Sequence, residues 1–218
     1  MVLLAIVAAT VSVAQEDPNL VGWWTFEGNA ADMSGNGRDG TLVGAADFGE
    51  GISGQGLVLY DNGYVNIDGW PGVLGSSGIT VSAWVRSWSM GTGDTGSASC
   101  DAIVGWGPNV ATNRFGFRIN AGRLRHEHHG GNVQGDTVMA DGQWHHVAVT
   151  VEKNATISYP QVVLYLDGQD DTRASTDPDA YNIQAGPDAR IGSRATANDR
   201  FFYGYMDDVR IYNRAVSP

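Results

Sequence analysis

The sequence predicts an all-β fold, a two-sheet antiparallel β-sandwich of the jelly-roll kind. No stretch carries the sustained apolar period of a long helix; short apolar and aromatic runs recur instead between clusters of Gly, Asn, Asp and Ser. Glycine supplies 30 of 218 residues, about twice the usual share of roughly 7%, which suits a chain that turns often. Several runs also alternate. In Ile79–Arg86, Ile79, Val81, Ala83 and Val85 fall on one face and Thr80, Ser82, Trp84 and Arg86 on the other. Bulk on both faces is what a central sandwich strand requires.

Taken in order, Val21–Glu27 reads as the first strand, and Asn29–Gly40 as a loop rich in Gly, Asp and Asn. Gly56–Tyr60 and Tyr64–Ile67 read as a hairpin around Asp61-Asn62-Gly63. After Ile79–Arg86, Ser87–Asp101 is a loop, and Ala102–Trp106, Arg114–Ile119 and Gly122–His126 form a meander. Trp144–Val151 pairs with Gln161–Asp167, Ala189–Gly192 is a short strand, and Phe201–Asn213 is a long last one. With no internal repeat, these dozen or so strands form one domain.

Composition narrows the function. The formal net charge of −11 argues against nucleic acid and anionic lipid as partners, and it suits hard cations that take oxygen ligands. The single Cys100 allows no disulfide within the chain and reads as a bystander in its loop. Residues 1–14 read as a signal peptide that lacks the usual basic start: Val2–Val13 is apolar but too short to span a bilayer, and Ser12-Val13-Ala14 suits cleavage. Residues 15–19 are a polar linker and 20–218 the domain. The mature domain is expected to be secreted or on the cell surface, with no segment inserted in a membrane.

Four segments in this order resemble the laminin-G-like, concanavalin A-like jelly-roll domains of bacterial secreted proteins, from about Leu20 to Val216. They are Gly22–Gly28 with Asp32–Gly40, Ile79–Val85, Asp141–Thr150 with Val163–Gly168, and Gly204–Ala215. The resemblance implies that the first and last strands lie side by side, which would bring the Asp32–Gly40 loop near Asp207.

On that basis Asp32, Asn36, Asp39 and Asp207 are the candidate ligands of a structural calcium ion, with Gly35 and Gly37 letting the loop turn carbonyls inward. The competing reading is an Asx-rich turn held by its own hydrogen bonds. His126 and His128 stand two apart and share a strand face; with Arg125 they are candidate ligand contacts. Trp23, Trp24, Trp84 and Trp144 lie in apolar strands and read as core, whereas Trp70, Trp88 and Trp106 flank loops, so Trp88 and Trp106 join the ligand candidates. His145 and His146 are neighbours and cannot easily share one ion.

For catalysis the sequence offers little. It has no acidic triad at alternating positions and no Gly-x-Ser-x-Gly elbow, and Asp207-Asp208, being adjacent, should face opposite ways. The function expected is a secreted non-catalytic binding module for a glycan or polysaccharide. The alternatives are a structural or adhesion domain meeting another extracellular protein, and a glycan-active enzyme.

Overall fold

The computed structural model describes residues 17–87, 100–111, 113–128, 131–152, 162–173 and 182–216, with the side chain of Cys100 excepted. The proposed signal peptide, Trp88 and His129 lie outside the described residues.

The strands are β1 (Leu20–Trp24), β2 (Gly40–Val43), β3 (Ala46–Glu50), β4 (Gln55–Leu59), β5 (Tyr64–Ile67), β6 (Ile79–Arg86), β7 (Cys100–Trp106) and β8 (Phe115–Asn120). They continue with β9 (Arg123–Glu127), β10 (Asn132–Gln134), β11 (Trp144–Val151), β12 (Val162–Leu166), β13 (Gln169–Asp170), β14 (Arg190–Ile191) and β15 (Gly204–Tyr212). They form two antiparallel sheets. The larger runs β13-β12-β11-β6-β15-β4-β3, with β1 also on β15; the smaller runs β10-β9-β8-β7-β14-β5-β2. The fold is therefore the two-sheet sandwich that the alternation predicts, and β1 does pair with β15.

The expected hairpin of β4 and β5 is not formed: the two strands lie in different sheets. The chain crosses between sheets at Val43–Ala46 and again at Leu59–Tyr64, and the two crossings lie against each other. A Cβ on Gly44 would sit 2.3 Å from the Asn62 carbonyl oxygen, and one on Gly63 would sit 2.3 Å from that of Ala45. The Asn-Gly pair marks a close backbone approach, not a two-residue turn.

In β6 the inward residues Ile79, Val81, Ala83 and Val85 are fully buried and Ser82, Trp84 and Arg86 are half-buried on the outside. The same rule applied to the tryptophans reverses an expectation. Trp24 is core as predicted, but Trp23, Trp84 and Trp144 are half-buried, Trp144 edge-on to Tyr205 with ring centroids 6.3 Å apart. Trp70 and Trp106 are buried instead. They belong to a ladder of rings through the core: Trp24–Trp70 at 6.2 Å, Trp70–Trp106 at 6.3 Å, Trp106–Phe115 stacked at 4.1 Å, and Phe115–His126 at 4.9 Å. The Trp106 indole donates to the Val73 carbonyl at 3.0 Å, which satisfies its one polar atom.

His126 ends this ladder, fully buried. Burial pushes its pKa down to about 3, and neighbouring His128 adds to the shift, so the ring is neutral at ordinary pH.

Two outcomes follow from the ladder. Trp106→Ala should lower stability by about 3–5 kcal/mol, as expected when a buried ring is removed, and Trp84→Ala by less than half as much; denaturant melts of the two variants measure this. The second concerns acid. Because the folded-state pKa of His126 lies below the ordinary value of 6.5, its contribution is complete above pH 6.5 and is lost as pH falls towards about 3. The slope is at most about 1.4 kcal/mol per pH unit. Stability measured across that window should fall less steeply in His126→Phe than in the parent; equal slopes would mean that folding does not depress the His126 pKa.

Candidate functional site

The outer face of the larger sheet carries aromatic and polar side chains together. A bulge in β15 organises it: pairing with β6 runs regularly through Asp207↔Trp84, then resumes at Arg210↔Ser82. The inserted Asp208 has a φ of 48°. Two residues of β15 thus stand opposite one of β6, and Asp207, Asp208 and Arg210 all reach the outer face while Val209 stays buried. Adjacent acids were expected on opposite faces; the bulge places both on one.

Asp208 Oδ1 accepts from the Trp23 indole at 2.6 Å and from Arg210 Nε at 3.0 Å, and the Arg210 guanidinium lies over the Trp23 ring, 4.7 Å from its centroid. Asp208 and Arg210 form a ridge between two recesses. One, of about 280 Å³, is lined by Ser82, His146, Ala148, Thr150, Tyr165 and Tyr212 among others. The other, of about 390 Å³, is lined by Thr25, Glu27, Ile52, Ser53, Trp84 and Asp207. His146 packs edge-on to Trp84 at 5.3 Å, and burial lowers its pKa despite nearby Asp208 and Asp167. A neutral imidazole there can both donate and accept a hydrogen bond. Half-buried rings beside a carboxylate, a guanidinium and hydroxyls form a surface suited to a ligand with both C–H faces and hydroxyl groups.

The four residues expected to hold calcium are tied to two different loops. Asp32 Oδ1 accepts the N–H groups of Trp23 at 3.0 Å and Ser34 at 2.9 Å, and its Oδ2 that of Arg38 at 3.0 Å. Burial raises its pKa, but these hydrogen bonds outweigh burial and leave it lowered. Asp39 Oδ1 accepts the Asp32 N–H at 2.8 Å, and the Asn36 amide donates to the Leu20 carbonyl at 3.1 Å. This loop is the Asx-rich turn. Asp207 faces elsewhere: its Oδ2 accepts from Ile52 at 3.0 Å and Ser53 at 3.4 Å, and its Oδ1 from Asp208 at 2.6 Å. Burial raises the Asp207 pKa against these donors. Among the described residues no three His, Cys, Asp or Glu side chains gather to hold a metal.

Sequence reasoning missed Glu27 and the loop after β3. Glu27 Oε2 accepts the Gln55 N–H at 3.1 Å. A Cβ on Gly51 would meet Asp207 Oδ2 at 2.5 Å and one on Gly54 would meet Glu27 Oε1 at 2.4 Å, so both acids grip this loop through glycines. The Gly51, Gly54, Gly56 spacing was the available signal.

His126 and His128 do share a face, with rings 6.2 Å apart, but both are buried. Trp106 is core as well. Arg125 projects to the opposite face of β9, where its guanidinium donates to Asn120 Oδ1 at 3.1 Å and lies 3.8 Å from Glu127. His145 lies between Asp167 at 2.8 Å and Asp141 at 3.2 Å; burial lowers its pKa, but these partners outweigh burial and raise it.

By structure the chain is similar to domain 4 of AbnA, an extracellular arabinanase from Geobacillus stearothermophilus solved with arabinotriose. The TM-score is 0.67 at 20% identity, covering 92% of this chain and 95% of that one. It is also similar to the binding domain of Paraclostridial Mosquitocidal Protein 1 (0.64, 15% identity, 91% and 50% covered). A third is the binding domain of Botulinum neurotoxin DC, solved with rat synaptotagmin II (0.61, 11%, 90% and 48%). The chain spans about half the length of the toxin domains. No curated protein matches it by sequence. The family model of the concanavalin A-like lectin/glucanases superfamily, in its laminin-G form, matches residues 59–218, and the chain belongs to that family.

Proposed function

We propose that this domain is a secreted or cell-surface, non-catalytic module that binds a glycan across the outer face of its larger sheet. The observation that carries this reading is the pair of recesses on either side of Asp208 and Arg210, with Tyr165, Tyr212 and Trp84 half-buried along them. Rings offer flat surfaces for sugar C–H faces, and Asp208, Arg210, Ser82 and His146 offer partners for hydroxyls. The arabinotriose bound to the AbnA domain supports the class of ligand. Asp207 spends both oxygens on backbone donors, which favours a holding role over proton transfer. A protein partner is the second reading, favoured by the neurotoxin domain solved with synaptotagmin.

Binding to a panel of soluble polysaccharides, read by affinity electrophoresis, tests this. Tyr165→Ala and Tyr212→Ala should each weaken retardation about tenfold, equivalent to about 1.4 kcal/mol, without lowering the melting temperature. Parent protein that no polysaccharide retards, or variants that bind equally well, would remove the glycan from this face.

Calcium remains part of this reading on the Asp207 side, because Asp207 and Glu27 line one recess and neither has a cationic partner among the described ion pairs. The melting temperature should rise in millimolar calcium relative to chelator. The rise should vanish in Asp207→Asn and persist in Asp39→Asn. Identical parent melts in both buffers would remove calcium altogether.

A further inference from the structure

A third recess lies on the opposite side of the molecule, on the outer face of the smaller sheet. Its floor is the pair Gly105 on β7 and Gly116 on β8, which face each other across the strands. Gly105 is not required by the backbone. Its φ lies outside the left-handed region, and the nearest atom to an added Cβ would be 3.5 Å away, an ordinary contact. A glycine within a strand where a side chain would fit leaves space above the sheet, a feature associated with close approach of a ligand. The space is small, about 30 Å³, room for one or two waters or one small charged group.

Its walls are cationic in a chain of net charge −11. Arg114, Arg118, Arg194 and Arg200 line it, with Glu127 the one acid. Arg194 is paired with Asp199. Arg114 and Arg118 each take one Glu127 oxygen, so the carboxylate is already shared when Arg200 approaches at 3.4 and 3.5 Å. Among the described hydrogen bonds the Arg200 guanidinium has no other acceptor. Beside it the Thr196 hydroxyl is buried without a hydrogen bond. Burial lowers the Arg114 pKa, and the charges of Arg200 and Arg194 push the same way, against the attraction of Glu127.

We infer that this recess binds the carboxylate of an acidic sugar, seated over Gly105 and Gly116 with Arg200 as its main partner and the Thr196 hydroxyl as a second donor. A guanidinium with donors to spare matches a carboxylate in a fork geometry. The cavity admits one such group and not a whole ring, so the sugar lies across its mouth. The sugar part rests on the glycan reading above; the anion part stands on the recess itself.

The test is calorimetric titration with trigalacturonate, its fully methyl-esterified form, succinate and sulfate. Trigalacturonate should bind and its neutral ester should not. Arg200→Gln should weaken trigalacturonate at least tenfold, and Gly105→Val, which fills the recess, should abolish binding, both with unchanged melting temperature. Binding should weaken with salt. Equal affinity for acid and ester, or no effect of either variant, would overturn the proposal; succinate or sulfate binding as tightly as trigalacturonate would overturn the sugar assignment. Retardation by a neutral polysaccharide on the other face should be untouched by Arg200→Gln, so failure of one site is distinguishable from failure of the other.

Discussion

The structure depends on β15 lying inside the larger sheet. One edge pairs with β6 from Tyr205 to Tyr212; the other pairs with β4 over Gly204–Met206 and then with β1 from Val209 to Tyr212. Two strands placed end to end thus share one edge, and the bulge falls at the junction between them. There the backbone of β15 lacks a strand neighbour on that side, and the Asp207 carboxylate reaches across to the N–H groups of the Ile52–Ser53 loop. The Trp23–Asp208 hydrogen bond joins residues 185 apart in sequence. Closing so long a loop costs about 4–5 kcal/mol of chain entropy, repaid only when the last strand is in place. Pairings so distant in sequence raise the contact order of the fold, and high contact order goes with slow folding.

The alternation of side chains was readable without coordinates. It placed Ile79–Arg86 with the correct residues inward, and the resemblance placed β1 beside β15. What the composition of the neighbouring residues does not encode is which way a tryptophan points. Trp106 flanks a glycine-rich loop and looked exposed; Trp70 and Val73, from a segment between β5 and β6, fold over it. Trp84 and Trp144 sit in apolar strands and looked buried, yet fall on the outward phase of the pleat. Polarity of the neighbours was the weaker guide; phase within the strand was the stronger.

The same distinction explains β9. Leu124 and His126 point inward while Arg125 and Glu127 point outward, as period two demands. A histidine pair two apart is therefore a pair of core rings if its strand phase is inward, whatever its chemical appeal. The outward pair, Arg125 and Glu127, carries the electrostatics instead, and Glu127 is held down at about 2: burial would raise its pKa, and Arg118 and Arg114, then Arg200 and Arg125, outweigh it. The four residues expected to hold calcium are tied to different loops for a different reason. Asp32 and Asp39 accept backbone N–H groups from nearby residues and Asn36 donates to the Leu20 carbonyl, whereas Asp207 accepts from the Ile52–Ser53 loop.

The two outer faces now differ in kind. That of the larger sheet is broad and ringed, with its one charged ridge internally matched by Asp208 and Arg210. That ridge offers a ligand no net charge, while the acids Glu27 and Asp207 line the recess beside it. The smaller sheet offers a narrow recess whose guanidiniums outnumber the carboxylate they share. The contrast comes from opposite uses of small and large residues at outward strand positions. On the larger sheet, Trp84, Tyr165 and Tyr212 fill the pleat and make a floor to lie on. On the smaller, Gly105 and Gly116 empty it, and arginines from β8 and the loops before β8 and β15 lean over the gap. A neutral chain would be held by area on the first, and a single anionic group by charge on the second. A polysaccharide carrying both could engage either side of the sandwich, but not both at once with the same sugar, since the core separates them.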